Sequence, residues 1–304
     1  MIKVFGHKAP DTDSTGSPIV WAWYLSEVKG TPAEAVLLGE PNTEAAFVLE
    51  RWRLDKPAIV ESVAGHDCVV VDTNNPAELP ADLSEANLLQ IIDHHRLVGG
   101  IETAGPIDIV IKPLACTATV MHQMMGEDAG RMPEDVKGAM LSCILSDTLE
   151  FRSPTTTDED RALAESLAAE LGVSIPDYAA EMFAAKSDVS RFSEAELLLM
   201  DSKEVAVGDL KLRVSVLETT SPAQILDRKD ALLAAMPKVA VDEGVSEVLL
   251  FVVDILNEEA TLLMSSDLSK GIAQRSFGAE VSGDSVVLPG IMSRKKQIIP
   301  ALKA

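Results

Sequence analysis

Two apolar runs in the first third of the chain, "CVVV" and "LLQII", constrain the fold more than any other feature of the sequence. Each run is continuous rather than alternating, and each ends in a polar cluster, "DTN" after the first and "DHH" after the second. Continuous apolarity is typical of strands buried on both faces, in parallel sheets with helices on both sides. Helical stretches alternate with these runs, so we predict an α/β first domain with a doubly wound, mainly parallel sheet.

The pattern changes near residue 187. Beyond the polar stretch "SDVSRFS" come two hairpin-like pairs, which turn at Gly208–Asp209 and near residues 257–259, with a single helix at "SPAQILDRKDALLAAM" between them. A chain of 304 residues favours two domains. We therefore predict a first domain at 1–187, a hinge or linker at 188–193 and a smaller second domain at 194–304.

The charge of the chain limits its partners. The formal net charge is −22, and a surface this acidic repels phosphate backbones, which weighs against nucleic-acid binding. No apolar run approaches the ~18 residues of a membrane span, and the opening has no basic segment leading into an apolar stretch, as a signal peptide would. Three scattered cysteines favour reduced thiols. We expect a cytoplasmic protein without a membrane partner.

Four polar clusters follow the ends of predicted strands or helices: "GHKAPDTD", "VVVDTN", "IIDHH" and "ILSDT". Loops at the carboxyl ends of parallel strands gather around one crevice, so distant segments can meet there. The clusters contribute His7, Asp11, Asp13, Asp72, Asp93, His94, His95 and Asp147.

Four or five carboxylates in one crevice raise one another's pKa and destabilise the fold unless metal ions neutralise them. Oxygen and imidazole ligands without thiolate suit Mn²⁺ or Co²⁺ better than structural zinc. The candidate ligands are more numerous than one catalytic ion needs. Their number predicts a pair of ions about 3.5–4 Å apart, bridged by an aspartate and a hydroxide, the arrangement that hydrolyses phosphoryl bonds.

Simpler interpretations exist for single clusters. "DTD" and "DTN" alone would be turns or helix caps, and Asp147 alone would be an N-cap. "DHH" is more specific, because adjacent histidines are difficult to explain by packing. We assign His66 to a loop and His122 to a helix, and we expect Asp93 to orient a neighbouring histidine.

These clusters, in this order, resemble the DHH phosphoesterase superfamily. "SRKKQ" at residues 293–297, together with "CTATV" and "SDTLEFRSPTTTDED", is similar to the family II, manganese-dependent inorganic pyrophosphatases. The resemblance covers the whole chain. It implies a DHH domain followed by a smaller α/β domain with a mixed sheet (DHHA2-type), and a homodimer formed through the N-terminal domain. It also implies hydrolysis of pyrophosphate to two orthophosphates by a metal-bridging hydroxide at the domain interface, with two Mn²⁺ per subunit, Co²⁺ as a substitute and Mg²⁺ bound to the substrate.

The resemblance also implies residue roles. His7 and Asp11 would hold one metal and Asp13 and His94 the other, with Asp72, the expected bridge, and Asp147 completing the pair. The substrate phosphates would be bound by His95, Lys203, Arg294 and Lys295. One departure is clear: the third cluster continues "DTNNPAEL", where relatives tend to carry "DHNE", so that Thr73 stands in place of a histidine. This change affects how the residues around Asp72 adjust its properties, and not the metal site itself.

A count of charges points to the same basic residues. Four aspartates and two divalent ions cancel, so an anionic substrate needs further positive charge. "SRKK" is the densest basic cluster in a chain with 48 acidic and 26 basic residues. It could be a solvated tail, but apolar segments flank it on both sides. Arginine would give a forked contact and lysine a point charge. Metals on one domain and cations on the other predict closure about residues 187–193.

Three alternatives remain. An exopolyphosphatase would cleave the same type of bond, although eukaryotic relatives with that activity usually show "DHR". A DHH phosphodiesterase acting on short oligonucleotides or cyclic dinucleotides usually carries a "GGGH"-like motif, which this chain lacks. A non-enzymatic metal-binding or scaffold protein would have no need of the basic cluster.

Overall fold

The structure, a computed structural model, describes residues 1–303 and divides the chain into two compact units. The first unit runs from Met1 to Lys186, and the second begins at Ser187. The segment 187–193 contains neither helix nor strand. No helix of the described residues is long and apolar enough to cross a membrane.

The first unit contains a six-stranded sheet in which every neighbouring pair is parallel. Its order is β3-β2-β1-β4-β5-β6. The predicted parallel sheet is thus confirmed, and the two apolar runs form the adjacent strands β4 and β5. The strands are β1 Ile2–Phe5, β2 Ala33–Leu37, β3 Ala58–Ile59, β4 Asp67–Val71, β5 Asn87–Asp93 and β6 Asp108–Ile111.

Both faces of this sheet are buried, as the continuous apolarity predicts. Val69 and Val71 pack into the larger core with the helices, whereas Cys68 and Val70 pack into a smaller core on the opposite face. One detail differs from expectation. The apolar residues that cover the smaller core come from connecting segments rather than from long helices; they include Leu79, directly after the 3₁₀ turn Pro76–Glu78, and Leu83, in the turn Leu83–Glu85.

Six helices belong to the first unit. Thr157 and Asp160 form a capping box at the start of α5, and Gly172, with a φ of 64°, caps its C-terminal end. The helix bounds are α1 Thr12–Trp23, α2 Thr43–Trp52, α3 Thr117–Met125, α4 Glu134–Asp147, α5 Asp158–Leu171 and α6 Ile175–Lys186. A π-helical turn, Tyr24–Val28, extends α1.

The second unit contains a mixed five-stranded sheet in the order β11-β10-β9-β8-β7, in which only the pair β8–β9 is parallel. Both predicted hairpins are present. The strands are β7 Ser202–Val207, β8 Leu210–Thr219, β9 Glu247–Asp254, β10 Glu259–Leu263 and β11 Ser285–Pro289. The helices are α7 Glu194–Met200, α8 Ala223–Leu226, α9 Lys229–Asp242, α10 Asp267–Phe277 and α11 Ile299–Ala301.

The single helix expected over 221–236 is in fact two helices, α8 and α9, separated at Asp227–Arg228. Arg228 stands at the break. Its guanidinium donates to the backbone oxygens of Val189 and Phe192 and to the carboxylate of Glu194. These bonds fasten the segment before α7 to the second unit.

Candidate metal centre

The topology of the first sheet places the polar clusters at one edge. The strand order reverses direction between β1 and β4, and ligands of open α/β sheets bind at the carboxyl ends of strands near such a switch point. His7 follows β1, Asp72 follows β4 directly, and His94 and His95 follow β5 directly. This neighbourhood of strands explains how segments far apart in sequence meet.

The start of α1 supplies two carboxylates. Asp11 is the N-cap, and its side chain accepts a hydrogen bond of 2.9 Å from the backbone N–H of Ser14. Asp13 lies in the first helical turn and is buried. Asp11 therefore ends the loop after β1, whereas Asp13 belongs to α1. The positive end of the helix dipole favours carboxylates at both positions.

The structure brings the expected ligand residues into three overlapping groups, in each of which the candidate ligand atoms lie within 4.8 Å of one another. Asp72 is shared between two groups and presents a different oxygen to each. Its Oδ2 lies 3.6 Å from Nε2 of His7, and its Oδ1 lies 3.4 Å from Nε2 of His94. The groups are His7, Asp11 and Asp72; Asp13, His94 and Asp147; and Asp72, His94 and His95.

Burial makes two carboxylates of this centre, those of Asp72 and Asp147, difficult to ionise. Burial, together with the negative charges of Asp13 and Asp11, raises the pKa of Asp72 and that of Asp147 well above the usual range. The Oδ2 atom of Asp147 is buried and accepts no hydrogen bond from the described residues. Divalent cations would relieve both the repulsion and the unpartnered oxygen, and the oxygen and imidazole donors fit such ions.

The backbone at Asp72 is strained. Its φ is 60°, in the left-handed region, which costs a residue other than glycine about 1–3 kcal/mol. The residue is held there by a bond from its N–H to the backbone oxygen of Ile92 and by a 3.2 Å bond from Oγ1 of Thr117 to its Oδ1. The backbone N–H of Thr117 also donates to Oδ2 of Asp13 at 2.8 Å. Thr117, at the start of α3, thus orients two aspartates, a role that the sequence did not reveal.

The imidazole rings of His94 and His95 are held by different hydrogen-bond partners. Nδ1 of His94 lies 3.2 Å from the backbone oxygen of Leu114, which leaves Nε2 facing Asp72. Nδ1 of His95 lies 2.9 Å from Oδ1 of Asp93, whose other oxygen accepts a bond from the amide of Asn74. The hydrogen bond and charge of Asp93 raise the pKa of His95, despite some burial. Asp93 therefore occupies an orienting position behind the histidine.

The remaining histidines and Thr73 lie outside these groups. His66 is in a loop before β4, and His122 is on α3, where burial lowers its pKa. Neither belongs to a potential ligand group among residues 1–303. The hydroxyl of Thr73 donates to Oε2 of Glu78 at 2.6 Å, so the position beside Asp72 carries an uncharged side chain that is bonded to a carboxylate.

The basic cluster is ordered within the second unit. Residues Arg294–Ile298 form a π-helical turn capped by Ser293, and Ile298 is fully buried. Oε1 of Gln297 accepts bonds of 2.9 Å from the backbone N–H groups of Met292 and Ser293. The cluster is therefore not a frayed tail.

The cations of this unit differ in exposure. Nη1 of Arg294 lies 2.7 Å from Oδ1 of Asp201 and donates to the backbone oxygen of the same residue. Lys295 and Lys203, the latter on β7, are exposed. Each of these cations is accessible to an anion, Arg294 through the part of its guanidinium that Asp201 does not occupy.

Glu44 is a second residue that the sequence did not reveal. It lies in the first turn of α2, is fully buried, and accepts hydrogen bonds from the hydroxyls of Thr12 and Ser146. Both donors are immediate neighbours of expected ligands.

Comparisons with known proteins agree with this architecture. The model of the DHH family, N-terminal domain, matches residues 1–146, and the model of the DHHA2 domain matches residues 180–304. A Deinococcus radiodurans protein named "Probable manganese-dependent inorganic pyrophosphatase" is 41% identical over 310 residues, covering 100% of this chain and 98% of its own length. A Lactobacillus acidophilus protein of the same name is 36% identical over 302 residues, covering 98% and 96%.

Two solved structures resemble the chain. A Methanococcus jannaschii protein assigned to the family II inorganic pyrophosphatases superposes with a TM-score of 0.63 at 33% identity, covering 99% of this chain and 98% of that one. An exopolyphosphatase-related protein of Bacteroides fragilis gives a TM-score of 0.51 at 12% identity, covering 98% and 89%. The second likeness concerns the fold alone.

Proposed function

The chain belongs to the family of manganese-dependent inorganic pyrophosphatases, and we propose that it hydrolyses pyrophosphate to two orthophosphates. The observation that carries the proposal is the position of Asp72, whose two oxygens face two different groups of histidine and aspartate. A carboxylate shared in this way fits a bridge between two ions.

The residues present fit a pair of divalent ions. His7, Asp11 and Asp72 would hold one ion, and Asp13, His94 and Asp147 would hold the other together with Asp72. When bound, the ions would supply Lewis-acid charge and lower the pKa of a water molecule to about 7. The manganese dependence of the relatives supports Mn²⁺. We further propose two ions per chain, Co²⁺ as a substitute, and a substrate that arrives with Mg²⁺.

The chemistry is a displacement at phosphorus. The oxygen of water forms a bond to one phosphorus, and the bond from that phosphorus to the bridging oxygen breaks. The electron pair stays on the bridging oxygen, which receives one proton of the water, while the other proton remains on the added oxygen, so two hydrogen phosphates result. His95, whose pKa is raised by its hydrogen bond to Asp93, would hold a substrate phosphate and stabilise the developing charge.

The cations of the second unit would bind the phosphate that leaves. Arg294 offers a fork for two phosphate oxygens, and Lys203 and Lys295 offer point charges. Their accessibility and the internal order of the 294–298 turn support this assignment. Together with His95 they would balance the excess charge of the substrate.

We propose a homodimer formed through the N-terminal domain. The two edge strands of the first sheet carry exposed isoleucines, Ile59 on β3 and Ile109 on β6, which supports an association at this sheet. Light scattering of the purified protein tests the assembly. The three cysteines are free and buried, which supports the proposal that the protein works in the reducing cytoplasm.

The discriminating experiment measures phosphate release from pyrophosphate, tripolyphosphate and a dinucleotide, each with Mn²⁺ and with Mg²⁺. We expect pyrophosphate with Mn²⁺ to be turned over fastest. Preferential cleavage of tripolyphosphate would favour the exopolyphosphatase alternative. Turnover of the dinucleotide with inert pyrophosphate would replace our proposal by a phosphodiesterase.

A further inference from the structure

We propose that Glu44 is a positioning residue that sets the separation between the aspartates of α1 and the aspartate of α4. Its Oε2 accepts a 2.9 Å bond from Oγ1 of Thr12 and a 2.7 Å bond from Oγ of Ser146. One carboxylate oxygen therefore joins the first turn of α1 to the last turn of α4. This inference rests on the proposed metal centre.

The two hydroxyls are placed where they control ligands. Thr12 stands between Asp11 and Asp13, and Ser146 precedes Asp147. A shift at either hydroxyl moves the backbone of an adjacent aspartate, and outer hydrogen-bond partners of this kind typically change metal affinity 10–100-fold when removed. Glu44 itself belongs to none of the ligand groups.

Packing alone does not explain why a glutamate occupies this buried position. The residue is fully buried, and a buried carboxylate is costly unless it is paired and hydrogen-bonded. Nζ of Lys186, the last residue of α6, lies 3.2 Å from the same Oε2 and supplies the opposite charge. An apolar side chain would fill the space without this cost, but it would not tie α1 to α4.

The second oxygen of Glu44 suggests a conservative variant. Oε1 is buried and has no hydrogen-bond partner among the described residues. In Glu44→Gln the amide oxygen can take the place of Oε2 and accept from both hydroxyls, while the amide nitrogen occupies the place of Oε1. Glu44→Ala removes the bridge altogether.

A matched control exists on α4. Ser142 is fully buried one turn before Ser146, and its hydroxyl bonds to Tyr178 and to the backbone oxygen of Gly138. None of these partners is an expected ligand. Ser142→Ala therefore loses buried hydrogen bonds of the same helix without touching the metal centre.

The test is a titration of the metal-stripped full chain with Mn²⁺, in which electron paramagnetic resonance measures the free Mn²⁺. Thermal unfolding of each variant is measured in parallel. We expect Glu44→Ala to weaken at least one Mn²⁺ site about 10–100-fold. We expect Glu44→Gln and Ser142→Ala to bind Mn²⁺ nearly as tightly as the wild type, well short of a ~10-fold loss, because neither variant removes an acceptor from Thr12 or Ser146.

Thr12→Val and Ser146→Ala remove the two arms of the bridge separately and are expected to weaken Mn²⁺ binding individually, which keeps the test valid if Glu44→Ala does not fold. Equal Mn²⁺ affinity in Glu44→Ala and Ser142→Ala would overturn the inference, as would a Glu44→Gln variant as weak as Glu44→Ala. If Glu44→Ala does not fold, wild-type affinity in both arm variants would overturn it. Failure of the wild type to bind Mn²⁺ would instead refute the metal centre of the proposed function.

Discussion

Asp201 anchors Arg294 through a single nitrogen: Nη1 lies 2.7 Å from the carboxylate Oδ1 and 2.7 Å from the backbone oxygen of the same aspartate. A guanidinium carries five N–H donors, so this anchoring fixes the plane of the fork while the rest of it can meet a phosphate.

Arg294→Ala should raise the KM for pyrophosphate strongly, by about tenfold or more, because a charge-assisted contact contributes about 1.5–3 kcal/mol. Mn²⁺ affinity should stay nearly unchanged, since all expected ligands lie in the first unit. Steady-state kinetics and Mn²⁺ titration measure the two quantities. Lys270→Ala, which removes a positive charge from α10 where Lys270 pairs with Asp267, should leave KM unaltered. Equal loss of Mn²⁺ affinity in Arg294→Ala would contradict the assignment.

Asp13→Ala should reduce bound metal from about two to about one Mn²⁺ per chain, because Asp13 belongs to one ligand group and Asp72 remains to serve the other. Elemental analysis after dialysis gives the count directly. Glu165→Ala, at an exposed position within α5, removes a carboxylate elsewhere and should not change it. A count that stays at the wild-type value in Asp13→Ala would show that the residue is not a ligand.

The metal-free protein should lose stability as the pH rises from about 5 to about 8. The folded-state pKa values of Asp72 and Asp147 lie well above the ordinary 3.8, so above that value the folded protein holds protons that the unfolded chain releases. The raised pKa values of His7 and His95 act in the same direction: their stabilisation is full below 6.5 and is lost as the pH passes their folded-state values.

Opposing groups do not cancel this trend. Asp11 and Asp93 have lowered pKa values, because hydrogen bonds to their charged forms outweigh burial, and their stabilisation is present above 3.8 and lost only at acid pH. Urea unfolding of the protein in the presence of a chelator measures the free energy of unfolding. Saturating Mn²⁺ should increase this free energy most at the higher pH. In the absence of metal, Asp147→Asn should be more stable than the wild type at about pH 8, whereas Asp177→Asn, at an exposed site, should match the wild type. An increase in wild-type stability over this range would refute the assignment.

Asp93→Asn should lower the pKa of His95 toward 6.5, because the hydrogen bond and charge of Asp93 are the main reason for its elevation. NMR titration of the imidazole measures the shift. Substrate affinity should then weaken at a lower pH than in the wild type, since a neutral imidazole holds phosphate poorly. His95→Gln should remove this pH dependence entirely. An unchanged His95 pKa in Asp93→Asn would show that another neighbour, and not Asp93, raises the pKa of the imidazole.

The sequence predicts the centre of this molecule better than its margins. The runs ending at Asp72 and His94 announce buried parallel strands and the polar residues at their ends. The edge strands β3 and β6 escape prediction because they are only two and four residues long and are largely exposed, so they lack a continuous apolar signature.

Residues that act through other residues leave no local signal. Glu44 lies 32 positions from Thr12 and 102 from Ser146, and its neighbours read as an ordinary amphipathic helix. Thr117 begins a helix in the manner of any small polar residue. Only the tertiary arrangement brings Thr117 to two aspartates, and Glu44 to the hydroxyls of Thr12 and Ser146.

The six proposed ligand residues have a further property: all of them lie between positions 7 and 147, within the first compact unit. Domains fold in the order in which they are synthesised, and synthesis proceeds at about 5–20 residues per second. The ribosome therefore completes every proposed metal ligand before the first residue of the second unit is made. During each round of translation there is an interval of several seconds in which a nascent chain has its ion-binding side chains but not yet Lys203, Arg294 or Lys295. Manganese, unlike pyrophosphate, would therefore find its proposed binding residues in the chain before the second unit is complete.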